Sequence, residues 1–374
     1  MYRLAGVLHA IALATALCVQ SLHSLLAGAW IPFYATGCAI LLAEFKYEPK
    51  RNLLWWAALA WAIALTCSTF LIKPVLSGAA YYVLLLPLPT LLLCMHEKAL
   101  HWYMLIFSAV VILYIIGVDG QLLFDVHYHG YEAGNTRTLH SWPVLDPNNA
   151  AAIISIAVIS SLYGMMYVNT AWGWWLWPTG LAWYATGSRG GLLAIMVGVF
   201  LLLYPRIRPM LERKHLPILA MLAFIGGISI SVIGLHLSPE FFQSVGFRAD
   251  LWITTWHMIG MEPWRGIGFG EFSTYYAHLR SEAYTAGYFA HNDPLQFIAE
   301  MGIPLGLVFW LIPIAVWRTT GKENYLAAVL FFVIVLQSFI EFQLYVPAIS
   351  MLTGLILTYH HINRPKGKKK CLPT

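Results

Sequence analysis

Three short segments hold residue types able to seat an anion and move a proton: Ser188-Arg189-Gly190-Gly191, the stretch from Arg248 to Phe272, and His291-Asn292-Asp293-Pro294. Each puts a cation or an imidazole at or near an expected helix start. A helix N-terminus offers unbonded N–H groups and the positive end of the macrodipole, and an arginine fork adds bidentate charge-assisted bonds. Ser188 as N-cap with Arg189 behind it therefore reads as a phosphate seat; the competing reading of Arg189 is an interfacial arginine snorkelling to headgroups. Arg248 is the second candidate cation, with a surface ion pair to Asp250 or Glu262 as its alternative. After His291, Asn292 or Asp293 can cap a helix and Pro294 suits its first turn. A positive helix end disfavours imidazolium, so His291 is expected to stay neutral and to accept a hydroxyl proton as a general base; a capping or headgroup histidine is the alternative.

Other residues give weaker signals. Glu300 lies nine residues past His291, about 13 Å of helix, and is expected to orient neighbours rather than touch a substrate. Glu300 and Glu341 fall at or inside span ends, where a carboxylate is a functional candidate by default. Gly266-x-Gly268-x-Gly270 lacks the third-glycine spacing of a dinucleotide loop and reads as a turn. His127-x-His129 with His140 has no cysteine or spaced carboxylate to complete a ligand set, so no metal and no cofactor is expected. Asp146-Pro147-Asn148-Asn149 reads as the cap of the next span, with acceptor binding as the other possibility.

The elements that must position these residues are membrane helices. The 374 residues are 59% apolar and 10% charged, against roughly a quarter charged in a soluble domain. Apolar stretches long enough to cross about 30 Å of hydrocarbon recur throughout. They predict an all-α polytopic protein of about 12 spans, near 5–28, 30–44, 53–72, 76–96, 102–120, 149–169, 171–187, 190–205, 216–237, 291–317, 325–341 and 346–362. Sixteen of the 22 basic residues fall on one set of connections and the tail, which places both termini in the cytoplasm. Lys73, Arg137, Arg189, Arg248, Arg265 and Arg280 then lie on the outer side. The chain reads as one membrane domain, 1–374, with an outer-face loop at 121–148, a larger outer segment at 238–290 between the ninth and tenth spans, and a basic tail at 363–374.

In the larger segment Phe247, Leu251, Trp252, Thr255, Met258 and Ile259 recur near helical spacing and predict an interfacial helix, with Trp252, Trp256 and Trp264 at headgroup level. The N-terminal run ending in Ala27-Gly28-Ala29 resembles a cleavable signal, but further spans follow at once, so it is read as the first span. Four of the five cysteines lie in spans and Cys371 in the tail, which leaves no outer pair for a disulfide. No soluble basic face exists to bind nucleic acid.

The segments SRGG at 188–191, RADLWITTWHMIGMEPWRGIGFGEF at 248–272 and HNDPLQFIAEMGIPLG at 291–306 resemble the O-antigen ligase and O-antigen polymerase (Wzy_C-type) superfamily of bacterial membrane glycosyltransferases. One departure is the glycine spacing after the histidine, since three residues separate Gly302 from Gly306 where the family usually has two. It bears on helix packing beyond His291, not on the histidine. The resemblance implies a GT-C-like fold in the bacterial inner membrane, acting at the periplasmic face without a metal. It implies that Arg189 and Arg248 bind the diphosphate of an undecaprenyl-diphosphate-linked glycan donor. His291 would then activate the acceptor hydroxyl for inverting attack, with Ser188, Asn292 and Glu300 in support. The favoured reading is a ligase whose acceptor is lipid A-core; a polymerase acting on a growing glycan and a pilin O-oligosaccharyltransferase share the motifs. A transporter would show broken helices and midplane charges, whereas here the charges cluster at outer span ends.

Overall fold

The computed structural model describes residues 2–19, 31, 34–36, 38–39, 52–74, 85–94, 97–123, 128–129, 138–139, 146–207, 239–280 and 287–363. The N-terminal half contains α1 (Tyr2–Val19), α2 (Leu53–Cys67, continued by a π turn at Ser68–Ile72), α3 (Pro87–Cys94) and α4 (Glu97–Leu123). Next come α5 (Pro147–Tyr167), a 3₁₀ segment at Thr170–Trp175, α6 (Leu176–Thr186) and α7 (Arg189–Ile207). The 238–290 segment supplies α8 (Pro239–Met261) and α9 (Phe272–Leu279). The chain then forms α10 (Asp293–Gly306), a 3₁₀ turn at Leu307–Trp310, α11 (Leu311–Thr319), α12 (Tyr325–Gln337) and α13 (Pro347–Ile362).

Among the described residues, four helical segments are long and apolar enough to cross a membrane: Leu53–Ile72, Trp102–Gln121, Pro147–Tyr167 and Asp293–Thr319. Arg189–Pro205 and Tyr325–Gln337 are shorter apolar helices. The span expected at 216–237 and most of those at 30–44 and 76–96 lie outside the described residues. So do His127, Glu132, Arg137 and His140 and nearly all of the tail. In the 121–148 loop, Tyr128–His129 (β1) pairs antiparallel with Thr138–Leu139 (β2), a small exception to an all-helical fold. α5 packs against α6 and α7, α7 against α12, α2 against α11, and α8 against α10.

Several expected boundaries shift, each for a local reason. The stretch read as a span at 171–187 opens with a 3₁₀ segment, because the Asn169 side chain caps Ala171 2.9 Å away before α6 begins. The stretch read as a span at 325–341 stops at Gln337, and residues 338–346 fold back beneath α10. Two bonds from Asp293 hold that return: its N–H donates to the Ser338 carbonyl at 2.7 Å, and its carboxylate accepts from Leu344 N–H at 2.8 Å. Asn292, not Asp293, is the cap, its side chain accepting from Leu295 N–H at 3.0 Å.

The stripe expected to lie in the membrane interface instead faces protein. Leu251, Thr255, Met258 and Ile259 are buried, the three apolar ones in a cluster with Phe272, Tyr276 and Ala299. The exposed large apolar residues described on α8 are Val245, Ile253, Trp256 and Met261. Helical spacing locates a stripe without saying whether protein or lipid covers it.

α10 breaks at Gly302, whose φ of 79° and ψ of 160° suit glycine. The break frees backbone groups that the 263–268 turn takes up. Ile267 and Gly268 donate to the carbonyls of Ala299 and Glu300 at 2.9 and 3.2 Å, and Ile303 donates to Pro263 at 2.8 Å. Pro304 has no N–H to return to Glu300, so the turn supplies what the helix cannot. A Cβ on Gly302 would sit 2.4 Å from the Trp264 carbonyl oxygen. Gly302→Ala is therefore expected to destabilise the protein by about 3 kcal/mol from backbone strain alone. Gly260→Ala, where a Cβ meets nothing within 4 Å, should be neutral or stabilising. Thermal unfolding in detergent compares the two; equal midpoints would remove this account of the kink.

Candidate functional site

Glu341 is the hub of the site. Its Oε1 pairs with Arg248 Nη2, and its Oε2 lies 2.7 Å from His291 Nδ1. Arg248 also donates from Nε to the Ile340 carbonyl at 3.1 Å. The Glu341 side chain is 3% exposed, against 23% for Arg248 and 19% for His291. The carboxylate is thus hidden behind two groups that keep open edges. The acid that Arg248 is seen to grip is thus the distant Glu341, while Asp250 accepts from Tyr276 at 2.7 Å.

His291 precedes its helix rather than starting it, with a φ of 50° that a non-glycine residue seldom adopts. Phe342 meets its ring edge-on at 4.9 Å and Phe247 at 6.0 Å, which fixes the ring plane. Besides the helix start that follows it, the ring meets Glu341, whose carboxylate touches Nδ1 directly. Accepting from Nδ1–H, it leaves the Nε2 lone pair for a substrate and stabilises the imidazolium once a proton arrives.

Ser188 caps α7: its Oγ accepts from Gly191 N–H at 3.0 Å and donates to Asn148 Oδ1 at 2.7 Å. This ties the start of α7 to the start of α5, where Asp146 Oδ1 accepts from Asn148 and Asn149 at 2.7 and 3.3 Å. Arg189 is exposed at that helix start. A Cβ on Gly190 would lie 3.2 Å from Ile340 Cδ1, so the α7 start adjoins the 340–341 segment. The α7 start, Arg248 and His291 thereby meet at Ile340 and Glu341. Glu300 sits deeper, accepting from Tyr345 at 2.8 Å, Gln296 at 3.1 Å and Phe272 N–H at 3.4 Å. It ties α9, α10 and the start of α13 together.

Two carboxylates at helix ends respond oppositely to this setting. Burial alone would raise Glu341, but His291 and Arg248 outweigh it and hold the group below the usual glutamate range. Asp146 is pushed up to about 6 by burial and then by the charge of Glu341, against the partial opposition of His291 and its two N–H donors. Glu341 therefore adds stability above the ordinary glutamate value, and this is lost as pH falls through its depressed folded value. For Asp146 the sign reverses, and its contribution to stability declines as pH rises from about 4 to about 6. Asparagine caps as well as aspartate. Asp146→Asn should accordingly melt close to wild type at pH 4 and above it at pH 7.5. A melting difference that does not change with pH would refute the assignment.

Sequence reasoning singled out Arg248 and His291 but not the residue that joins them. Glu341 carried one usable signal, a carboxylate at a span end. Asp146 read as a cap, which it is, while its closeness to Glu341 and His291 was hidden.

Among the described residues, helices long and apolar enough to cross a membrane accompany a cluster of a cation, a carboxylate and an imidazole. Residues 174–311 match the family model described as O-antigen ligase. The matched stretch includes Ser188, Arg189, Arg248 and His291 and ends before Glu341. No curated protein gives a match to the chain.

Proposed function

We propose that the protein is an O-antigen ligase-type glycosyltransferase of the bacterial inner membrane, with about 12 spans, both termini cytoplasmic and its site facing the periplasm. It moves a glycan from undecaprenyl diphosphate to a hydroxyl of lipid A-core. The observation carrying this reading is the Glu341 carboxylate gripping Arg248 and His291 beside the start of α7.

The donor diphosphate sits between Arg189 and Arg248, with Ser188 holding the helix start that faces it. His291 Nε2 takes the acceptor hydroxyl proton as that oxygen attacks the anomeric carbon from the face opposite the leaving group. The bond from anomeric carbon to phosphate oxygen breaks and undecaprenyl diphosphate departs with the electron pair. Negative charge grows on the diphosphate as the bond breaks, so arginines placed there stabilise the transition state more than the ground state. They take the place of a metal cation. Asn292 caps α10 and Glu300 braces it, which keeps His291 in place.

The test uses purified full-length protein with lipid-linked donor and lipid A-core acceptor. Transfer is expected to persist in a metal chelator, and loss restored by a divalent cation would overturn the metal-free reading. Arg248→Lys keeps the charge but loses the fork and the Nε bond to Ile340. It should lower donor affinity by about tenfold or more. Wild-type donor affinity in this variant would remove Arg248 from the diphosphate site. Wild-type protein that forms no glycosylated product would sink the proposed function.

A further inference from the structure

Four of the six outer-side basic residues belong to neither the donor seat nor the base, and the fold brings two of them together from distant parts of the chain. Lys73 follows the π turn of α2 and Arg265 lies in the turn after α8; with Glu262 they line a cleft of about 100 Å³. At the roughly 10–15 Å³ that one water needs by this measure, the cleft holds several waters, which is room for one phosphate group. Arg265 Nη2 donates to the Ile72 carbonyl at 3.3 Å, which caps the end of the α2 segment. The Lys73 ammonium stands 5.7 Å from the Tyr275 ring centroid. Among the described residues neither cation has a carboxylate within 4.0 Å. Glu262 lines the cleft without pairing to either, so the lining carries a net positive charge.

The cleft is braced and sits beside an apolar face. A Cβ on Gly302 would lie 3.0 Å from Arg265 N, so the arginine's backbone is packed against the α10 break. Trp264, adjacent to it, is 72% exposed and Trp256 is 61% exposed, with Ile253 and Met261 also outward. Exposed indoles beside cations are what the headgroup level of a bilayer selects. An anion that belongs in such a place carries its own apolar anchor.

We propose that Lys73 and Arg265 form a binding site for the phosphate group of a membrane lipid. The phosphate oxygens accept from the Lys73 ammonium and the Arg265 guanidinium, and the lipid's chains run down the face bearing Trp264. This site is separate from the donor seat, since Asp293 to Gly302 alone spans about 14 Å of α10. Two lipids offer that chemistry: the acceptor of the proposed transfer, which rests on that reading, and anionic phospholipid of the surrounding bilayer, which does not.

The experiment compares full-length wild type, Lys73→Gln/Arg265→Gln and Lys73→Arg/Arg265→Lys in neutral-lipid nanodiscs titrated with phosphatidic acid or with diacylglycerol. Retained lipid is read by native mass spectrometry. Wild type and the charge-keeping variant should hold phosphatidic acid about tenfold or more tightly than the glutamine variant, and diacylglycerol should show no difference among the three. Equal retention of phosphatidic acid in wild type and the glutamine variant overturns the site. Transfer assays then separate the sources. A raised KM for acceptor in the glutamine variant, with kcat and donor KM unchanged, assigns the phosphate to the acceptor. Lost retention with unchanged acceptor KM assigns it to bulk phospholipid. Charge-dependent retention in a protein that transfers no glycan keeps the lipid site and removes the glycosyltransferase reading.

Discussion

Replacing His291 with alanine is expected to lower glycan transfer by about 10²–10⁴-fold, the usual share of general acid–base catalysis, while donor binding persists. The separation follows from geometry. The ring faces Glu341 through Nδ1 and is fixed by Phe342 and Phe247, so its free chemical function is at Nε2. In the proposed mechanism donor affinity depends on charges elsewhere, at Arg189 and Arg248. Binding of lipid-linked donor and single-turnover transfer, measured at matched protein levels, distinguish the two losses. Transfer at the wild-type rate would end the base assignment. Lost donor binding would move His291 into the phosphate site.

What was legible in the sequence follows the range of the interaction involved. Caps act over two or three residues, so Asp146 before Pro147 and Asn292 before Pro294 could be read from local rules, and both cap their helices. The turn reading of Gly266-x-Gly268-x-Gly270 rested on local chemistry, and all three glycines take positive φ. Its partner at Gly302 was visible only as an odd glycine spacing, because the need for glycine there comes from the Trp264 carbonyl. Glu341 lies 93 residues from Arg248 and 50 from His291. No periodicity links them. The chain returns there because Asp293, expected to be a cap candidate, spends its bonds on Ser338 and Leu344. Likewise, the spacing in α8 showed that a stripe existed, while only tertiary packing decided that α10 would cover it.

Glu341→Gln should reduce transfer nearly as far as His291→Ala, although it removes no atom that touches a substrate. Arg248 can only donate, so it will take the carbonyl oxygen of the new amide, since Oε1 already faces it. The amide NH2 must then point at His291 Nδ1, where Oε2 now lies. An N–H aimed at Nδ1 requires that nitrogen to be the acceptor, which moves the ring proton to Nε2. The base is then the wrong tautomer, and the carboxylate that would stabilise the imidazolium is gone, a combination that costs up to about 10⁴ where a carboxylate supports a catalytic histidine. Because the two residues act as one unit, the double variant His291→Ala/Glu341→Gln should be no slower than His291→Ala alone. Glu341→Ala would also leave Arg248 without its carboxylate, a loss of about 3–5 kcal/mol of stability for a buried pair, so glutamine is the cleaner probe. Rates for the two single variants and the double close the cycle. Multiplicative losses would mean that Glu341 acts on Arg248 and the donor, not through His291.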